Sequence, residues 1–432
     1  MRASPASRRH QVLAWAFYDW ANSAFATVVI AGFFPVFFKG YWSAGVDPTV
    51  SSFRLGVANS VESLIVLLAA PLLGAVADQG ALKKPLLLAF TAVGVLATAG
   101  LAWVGEGAWT LAATLYVVAG IGFAASNVFY DALLVDVSDP ADFDRVSALG
   151  YALGYLGGGI VLLACVAMTR WPHALGLSDP AEAVRAAFLV TAAWWAAFSL
   201  PLARTVRQRY AAGAPPWREA LRGGLRQLTR TARKLRLHRA AALFLAAYWL
   251  YIDGVDTIVR MAVDYGIGLG FPAEQLIVAL LVVQFVGFPA ALAFGWLGAR
   301  LGAKPGVLIA IGAYACITVW GYRLTALWEF YGVAVAIGLF QGGIQSLSRS
   351  LYARLIPPEE SGEFFGFYNM VGKFAAVIGP VLMGTVAVMT GDTRVSILSL
   401  LILFGGGAAI LLAVDGSATS APSPGSGRGR AP

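Results

Sequence analysis

Apolar residues run along this chain in long stretches, and short polar or Gly/Pro segments break them. A helix needs about 20 mostly apolar residues to cross a bilayer's hydrocarbon layer. The pattern predicts twelve such spans, at 12–38, 56–77, 85–104, 109–136, 147–169, 184–203, 240–265, 273–296, 305–322, 327–352, 362–389 and 395–414. The first is not expected to be a cleavable signal peptide. Its apolar stretch is too long, it carries Asp19 and Asn22, and no small-residue cleavage site closes it.

Composition agrees with the pattern. Of 432 residues, 59% are hydrophobic and 12% charged, where soluble domains have roughly 45–50% and about 25%. Mean hydropathy is +0.72. A disordered chain and a soluble enzyme are excluded, and a polytopic membrane protein remains. Two cysteines exclude a disulfide framework, and three scattered histidines leave no metal site. No phosphate-binding G-x-x-x-x-G-K-[ST] loop is present. No cofactor is expected, and no nucleotide-driven pump within this chain.

Basic residues set the orientation, because cytoplasmic loops are enriched in Lys and Arg. Twelve spans bring both termini to one face. On that face, with the long central connection, lie 22 of the 31 Lys and Arg; 6 lie on the other face and 3 (Arg260, Arg349, Lys373) within spans. Both termini are expected to be cytoplasmic. The net charge of +8 then faces anionic lipid headgroups rather than nucleic acid.

The sequence repeats weakly. Gly74-Ala-Val-Ala-Asp78-Gln-Gly80-Ala-Leu-Lys83-Lys84 follows the second span, and Gly295-Trp-Leu-Gly-Ala-Arg300-Leu-Gly302-Ala-Lys304 follows the eighth. Asn127, Asp131, Asp136 and Pro140 reappear 218 residues later as Gln345, Arg349, Arg354 and Pro358, so acids in one half match bases in the other. The expected architecture is all-α, with two six-helix bundles around a central cavity. Its parts would be a cytoplasmic N-terminus (1–11), bundles at 12–203 and 240–414, a basic linker (204–239) and a disordered tail (415–432). In the linker, Trp217, Leu221, Leu225, Leu228, Ala232 and Leu235 share one helical face opposite five arginines. That predicts an amphipathic helix on the inner leaflet.

Charged groups inside a bilayer are costly and need partners or water. Asp19, Asn22, Ser23 and Ala26 share one face of the first span, suited to line a cavity or to bond a neighbouring helix. Asp253, Asp256, Arg260 and Asp264 fall within about 80° of the seventh span's circumference. One arginine cannot neutralise three acids, so a proton-binding acid is expected there, with a static ion-pair network as the alternative. Lys373 lies about 18 Å into the eleventh span at 1.5 Å per residue, beside Asn369 in sequence. It should meet an acid on the first or seventh span, or an anionic substrate group. Gln341, Gln345, Ser348 and Tyr352 form a polar stripe on the tenth span, and Glu62 in the second is a gate or interfacial residue. The Gly74–Lys84 turn is a conformational latch, with Asp78 reaching a basic partner or a helix N-terminus. Gly74, Asp78, Gly80, Lys83, Asp131 and Arg349 are the gating or latch candidates.

Twelve spans, a basic linker and the Gly74–Lys84 turn resemble the major facilitator superfamily. The turn departs from that superfamily's usual signature. It has Asp78-Gln-Gly80 where Asp, Arg, any residue and Gly are usual, and its second copy has Ala299 in place of the acid. Tyr18-Asp19-Trp20-Ala21-Asn22-Ser23, Tyr251-Ile-Asp253-Gly254-Val255, Gly342-Gly343-Ile-Gln345-Ser-Leu-Ser348-Arg349-Ser350 and Glu363-Phe-Phe-Gly366-Phe-Tyr368 resemble the vacuole-effluxer branch, whose fungal members are autophagy-related permeases. The resemblance spans roughly 12–414. It implies a secondary transporter working by alternating access, with amino-acid efflux as the implied activity. Compact loops suggest a bacterial plasma-membrane member, whose substrate need not be that of the fungal proteins.

The expected site comprises Asp19, Asn22, Asp253, Asp256, Arg260, Gln345, Asn369 and Lys373. Carboxylates there would hold a coupling proton or a substrate amine, and Lys373 a substrate carboxylate. The expected partners are a small-molecule substrate, a proton and membrane lipids, with the oligomeric state open and a monomer sufficient. The alternatives are a transporter of sugars, peptides or drug-like molecules, and a membrane receptor or scaffold that transports nothing.

Overall fold

The computed structural model describes residues 5–78, 82–209 and 238–414. Among them, twelve helices are long and apolar enough to cross a membrane. We number them α1 (Arg8–Trp42), α2 (Val50–Asp78), α3 (Lys83–Trp103), α4 (Trp109–Val137), α5 (Phe143–Arg170), α6 (Pro180–Thr205), α7 (Arg239–Ala262), α8 (Val278–Leu301), α9 (Ala303–Tyr322), α10 (Leu327–Leu355), α11 (Pro358–Thr390) and α12 (Arg394–Leu412). Each matches one span of the hydropathy pattern. A bilayer admits such helices because each satisfies its own backbone hydrogen bonds. The linker helix expected over 217–235, Gly80 of the latch turn and the tail from 415 lie outside the described residues.

The duplication is complete at the level of packing. In the first half α1 packs on α5 and α6, α4 on α2 and α3, and α3 on α6. In the second half α7 packs on α11 and α12, α10 on α8 and α9, and α9 on α12. The seam repeats too, since α5 lies along α8 and α10 as α11 lies along α2 and α4. This is the major facilitator arrangement of two six-helix bundles.

Small residues bring the halves close where they cross. A methyl group at Gly74 on α2 would lie 2.1 Å from the carbonyl oxygen of Gly362 at the start of α11, so no larger residue fits there without movement. Within the first half, a methyl at Gly154 on α5 would lie 2.6 Å from the Ser23 hydroxyl and 3.1 Å from the Asp19 carboxylate on α1. The bare face of α5 thus lets the polar face of α1 come near the molecular axis. Past that face, α1 loosens into π-helical turns over Phe25–Phe33 and Phe38–Trp42, a form often found near functional sites.

Bonds between the halves gather at the face that carries the termini. Asp78 accepts the amide hydrogens of Gly362 (3.0 Å) and Glu363 (2.8 Å), capping α11 across the seam. Lys83 lies 3.6 Å from Asp78 and 3.2 Å from Asp136, and donates to the Ser361 hydroxyl at 2.7 Å. Arg354 forks onto Asp144 at 2.7 and 2.9 Å. This conformation is closed on the terminus side. The first linker residues are fastened there as well, with the Arg209 amide donating to Asp136 at 2.7 Å.

Candidate functional site

A polar cavity of about 320 Å³ lies between the halves. Asp19, Asn22, Ser23 and Thr27 reach it from α1, Asn127, Tyr130 and Asp131 from α4, and Tyr151 and Tyr155 from α5. The other half contributes Tyr248 from α7, Gln284 from α8, Gln341, Gln345 and Arg349 from α10, and Tyr368 and Asn369 from α11.

Arg349 closes the terminus end of this cavity and is almost wholly buried. Its Nη1 donates to Asp131 Oδ1 at 3.0 Å, its Nε to Ser147 Oγ at 2.9 Å and its Nη2 to the Ser147 carbonyl at 2.8 Å. The rings of Tyr151, Trp15 and Tyr130 stand 4.3, 4.9 and 5.2 Å from the guanidinium carbon. Ionic, hydrogen-bonding and cation–π contacts thus replace the lost hydration. The second Asp131 oxygen accepts from Asn369 at 3.0 Å.

Asp19 is held differently. It is 8% exposed and accepts only two long hydroxyl bonds, from Ser23 at 3.2 Å and Tyr130 at 3.3 Å. An ionised carboxylate offers about four acceptor positions. Among the described residues it has no ion-pair partner. Two further groups on the wall, Gln341 Oε1 and the Tyr368 hydroxyl, are buried without a hydrogen-bond partner among the described residues. Buried polar atoms normally have partners, and Asp19 and Gln341 leave acceptor capacity unused on the cavity wall.

The structure brings Asp19, Asn22, Gln345 and Asn369 together, and places Asp131 and Arg349 with them rather than in the latch. It does not bring Asp253, Asp256, Arg260 or Lys373 into this cavity. Tyr248 is the α7 residue facing it, and five residues further on, at about 100° per residue, Asp253 points elsewhere. Asp253 is fully buried and accepts the amide hydrogens of Ile378 at 3.1 Å and Gly379 at 2.9 Å on α11. Those amides precede Pro380, which interrupts the helix ladder. Lys373 pairs with Glu62 on α2 at 2.8 Å, not with an acid on α1 or α7. It lies one helical turn beyond Asn369, where α2 is its neighbour across the seam while α7 packs on α11 within its own half. Arg260 and Lys373 both lie within electrostatic range of Asp256, so these charges form a second cluster. It does not line the central cavity, but its Asp256 is within electrostatic range of the wall tyrosines Tyr151, Tyr155 and Tyr248. The Asp264 side chain lies outside the described residues. Of the expected latch residues, Gly74, Asp78 and Lys83 stand together where α2 and α3 meet the start of α11.

Several wall residues carried no signal in the sequence. Tyr130, Tyr151, Tyr155, Tyr248 and Gln284 look like ordinary apolar-helix residues until the halves are assembled. Asp144, the partner of Arg354, was equally silent.

Comparison with known proteins agrees with this architecture. The sequence model described as "Vacuole effluxer Atg22 like" matches residues 7–139 and 136–420. The chain belongs to the vacuole effluxer Atg22-like family. Among its relatives, the uncharacterized MFS-type transporter YxiO of Bacillus subtilis (strain 168) is 38% identical over 399 residues, covering 92% of this chain and 93% of that one. Autophagy-related protein 22 of Coccidioides immitis (strain RS) is 23% identical over 455 residues, covering 86% and 74%. The human organic anion transporter MFSD10 superposes with a TM-score of 0.71 at 17% identity, covering 95% of this chain and all of that one. The proton:xylose symporter XylE superposes with a TM-score of 0.68 at 12% identity, covering 95% of each chain. This Atg22-like protein is therefore a multi-pass membrane transporter of the major facilitator type, not an enzyme.

Proposed function

We propose that this protein exports small amino-acid-like solutes by proton-coupled alternating access. The observation that carries the reading is the central cavity, where Asp19 and Asp131 face a single Arg349 amid carboxamides and tyrosines. Asp19 suits a substrate ammonium or a proton. The amide groups of Asn127 and Gln345 suit a carboxylate. The effluxer family supplies the expected direction. Rocking of the halves, 12–203 against 240–414 about the 204–239 linker, would expose the cavity to each face in turn. Glu62–Lys373 and the Asp78 cap are the contacts that such rocking must break. The basic-residue asymmetry supports both termini being cytoplasmic, the compact loops suggest a plasma-membrane protein, and nothing in the cavity needs a second copy of the chain.

The carboxamides also favour a second reading, a hydroxyl-rich solute such as a sugar. Proteoliposomes separate the two. Purified full-length protein, loaded with mixed unlabelled amino acids, should take up labelled amino acids by counterflow, faster when a pH gradient is imposed. Counterflow of sugars alone would replace the amino-acid reading, and pH-independent flux would remove the proton.

A further inference from the structure

Resting on that reading of the cavity, we propose that Asp19 is one shared binding point for a proton and for the ammonium of a substrate carrying one net positive charge, the two excluding each other.

The argument is charge balance in a closed space. Among the described residues, the charged groups lining the cavity are Asp19, Asp131 and Arg349; Asp256 stands behind the tyrosine wall, with Arg260 and Lys373 as its own counter-charges. Arg349 pairs directly with Asp131 at 3.0 Å and reaches Asp19 only through its longer-range charge, so with both acids ionised the three lining groups sum to one excess negative charge. Burying an unpaired charge in low dielectric is costly, and a proton or a counter-charge relieves it. One proton on Asp19 makes the cavity neutral. So does one bound monocation. A zwitterion does not, since its own charges cancel, and it would enter with the proton still in place.

The groups around Asp19 leave it in this role. Tyr130 and Asp131 face it from α4, Tyr151 and Tyr155 from α5, and Arg349 from α10. Tyr248 on α7 and Tyr368 on α11 complete the wall, and Tyr18 is its neighbour on α1. The tyrosines are neutral near pH 7, and Asp131 already accepts from Arg349 and Asn369. Asp19, with two long hydroxyl bonds, is the acid with acceptor capacity to spare. A monocation leaving as a proton enters exchanges one charge for one. A substrate such as lysine or arginine would thus be exported electroneutrally, whereas leucine would travel with the proton rather than against it.

Proton counting on the purified full-length protein tests this. Calorimetric titrations of L-lysine, L-leucine and n-butylamine are run in two buffers of different ionisation enthalpy, from about pH 5 to pH 9. Below the titration of Asp19, lysine and butylamine should each release about one proton per molecule bound, with affinity falling about tenfold per pH unit; above it, release and slope should vanish together. Leucine should release none. Asp19→Asn should abolish release and flatten the pH dependence, and Asp19→Glu should keep both. The wild-type titrations decide the matter even where a variant fails to fold. Lysine binding without release at every pH, leucine binding with release, or no proton-releasing ligand among the three would overturn the proposal. Release by butylamine with neither amino acid binding would keep Asp19 as the shared point and discard the amino-acid reading. Binding of both amino acids without release would do the reverse.

Discussion

Asp131 and Arg349 occupy matching positions in the two halves, 218 residues apart, and their side chains meet at 3.0 Å at the terminus end of the central cavity. A duplicated fold places equivalent positions around its own axis. An acid in one copy and a base in the other therefore become partners by symmetry, at the seam that must shear when the halves move.

Arg349→Ala leaves Asp131 buried without its counter-charge. A broken buried pair costs about 3–5 kcal/mol, so the melting temperature in detergent should fall and little folded protein should be recovered. The double variant Asp131→Asn/Arg349→Gln, which removes both charges, should recover much of that loss. If the double variant were no more stable than Arg349→Ala, the pair would not be the source of the effect.

Gly74→Ala tests the close crossing of α2 and α11. Its methyl would meet the Gly362 carbonyl, so the terminus side should no longer close fully. Thiol labelling of Ser361→Cys from that side, suppressed in the closed state where residue 361 is buried, should rise several-fold with folded yield retained. Unchanged labelling would show that the halves close without this contact.

Asp253→Asn separates structural from coupling roles. Asp253 holds the two amides before Pro380, and losing a charged acceptor for buried donors costs about 1–3 kcal/mol. Thermal stability should drop while the pH dependence of flux survives. Loss of pH dependence at full stability would return Asp253 to the coupling mechanism.

How far the sequence carried is clear from these residues. The spans were legible because hydropathy period and length alone define a membrane helix. The kinship of Asp131 and Arg349 was legible in the repeat spacing, but not their place in the cavity, which depends on how α4 and α10 rotate against each other. Lys373 and Glu62 are 311 residues apart, and local pattern cannot pair them. Asp253 looked like a titrating acid because its partners are the backbone amides of Ile378 and Gly379, and no side-chain pattern reveals those.

Asp139, on the terminus-side loop between α4 and α5, clamps the N-terminal Arg8 and the linker's Arg209, the latter at 2.9 Å. Partial burial opposes its charge, yet the hydrogen bond and charge of Arg209, with the charge of Arg8, hold its carboxyl below the ordinary 3.8. A depressed acid contributes stability above its unfolded value and loses it as pH falls through the folded one. The clamp should thus be complete at neutral pH and release only below about pH 4. Asp139→Asn should release it at every pH, raising proteolysis near Arg209 without changing the melting temperature much, since the group is half exposed. Release at pH 5 to 6 in the parent protein would contradict this.

The central claim is that one cavity between the halves serves both faces of the membrane. Single cysteines at Asn22 and at Gln345, in a Cys165→Ala/Cys316→Ser background, test it most directly. Each is labelled with a membrane-impermeant thiol reagent in vesicles of both orientations, with and without substrate. Alternating access predicts that both positions react from either side, and that substrate slows both. Reaction from one side only, under every condition, would contradict it.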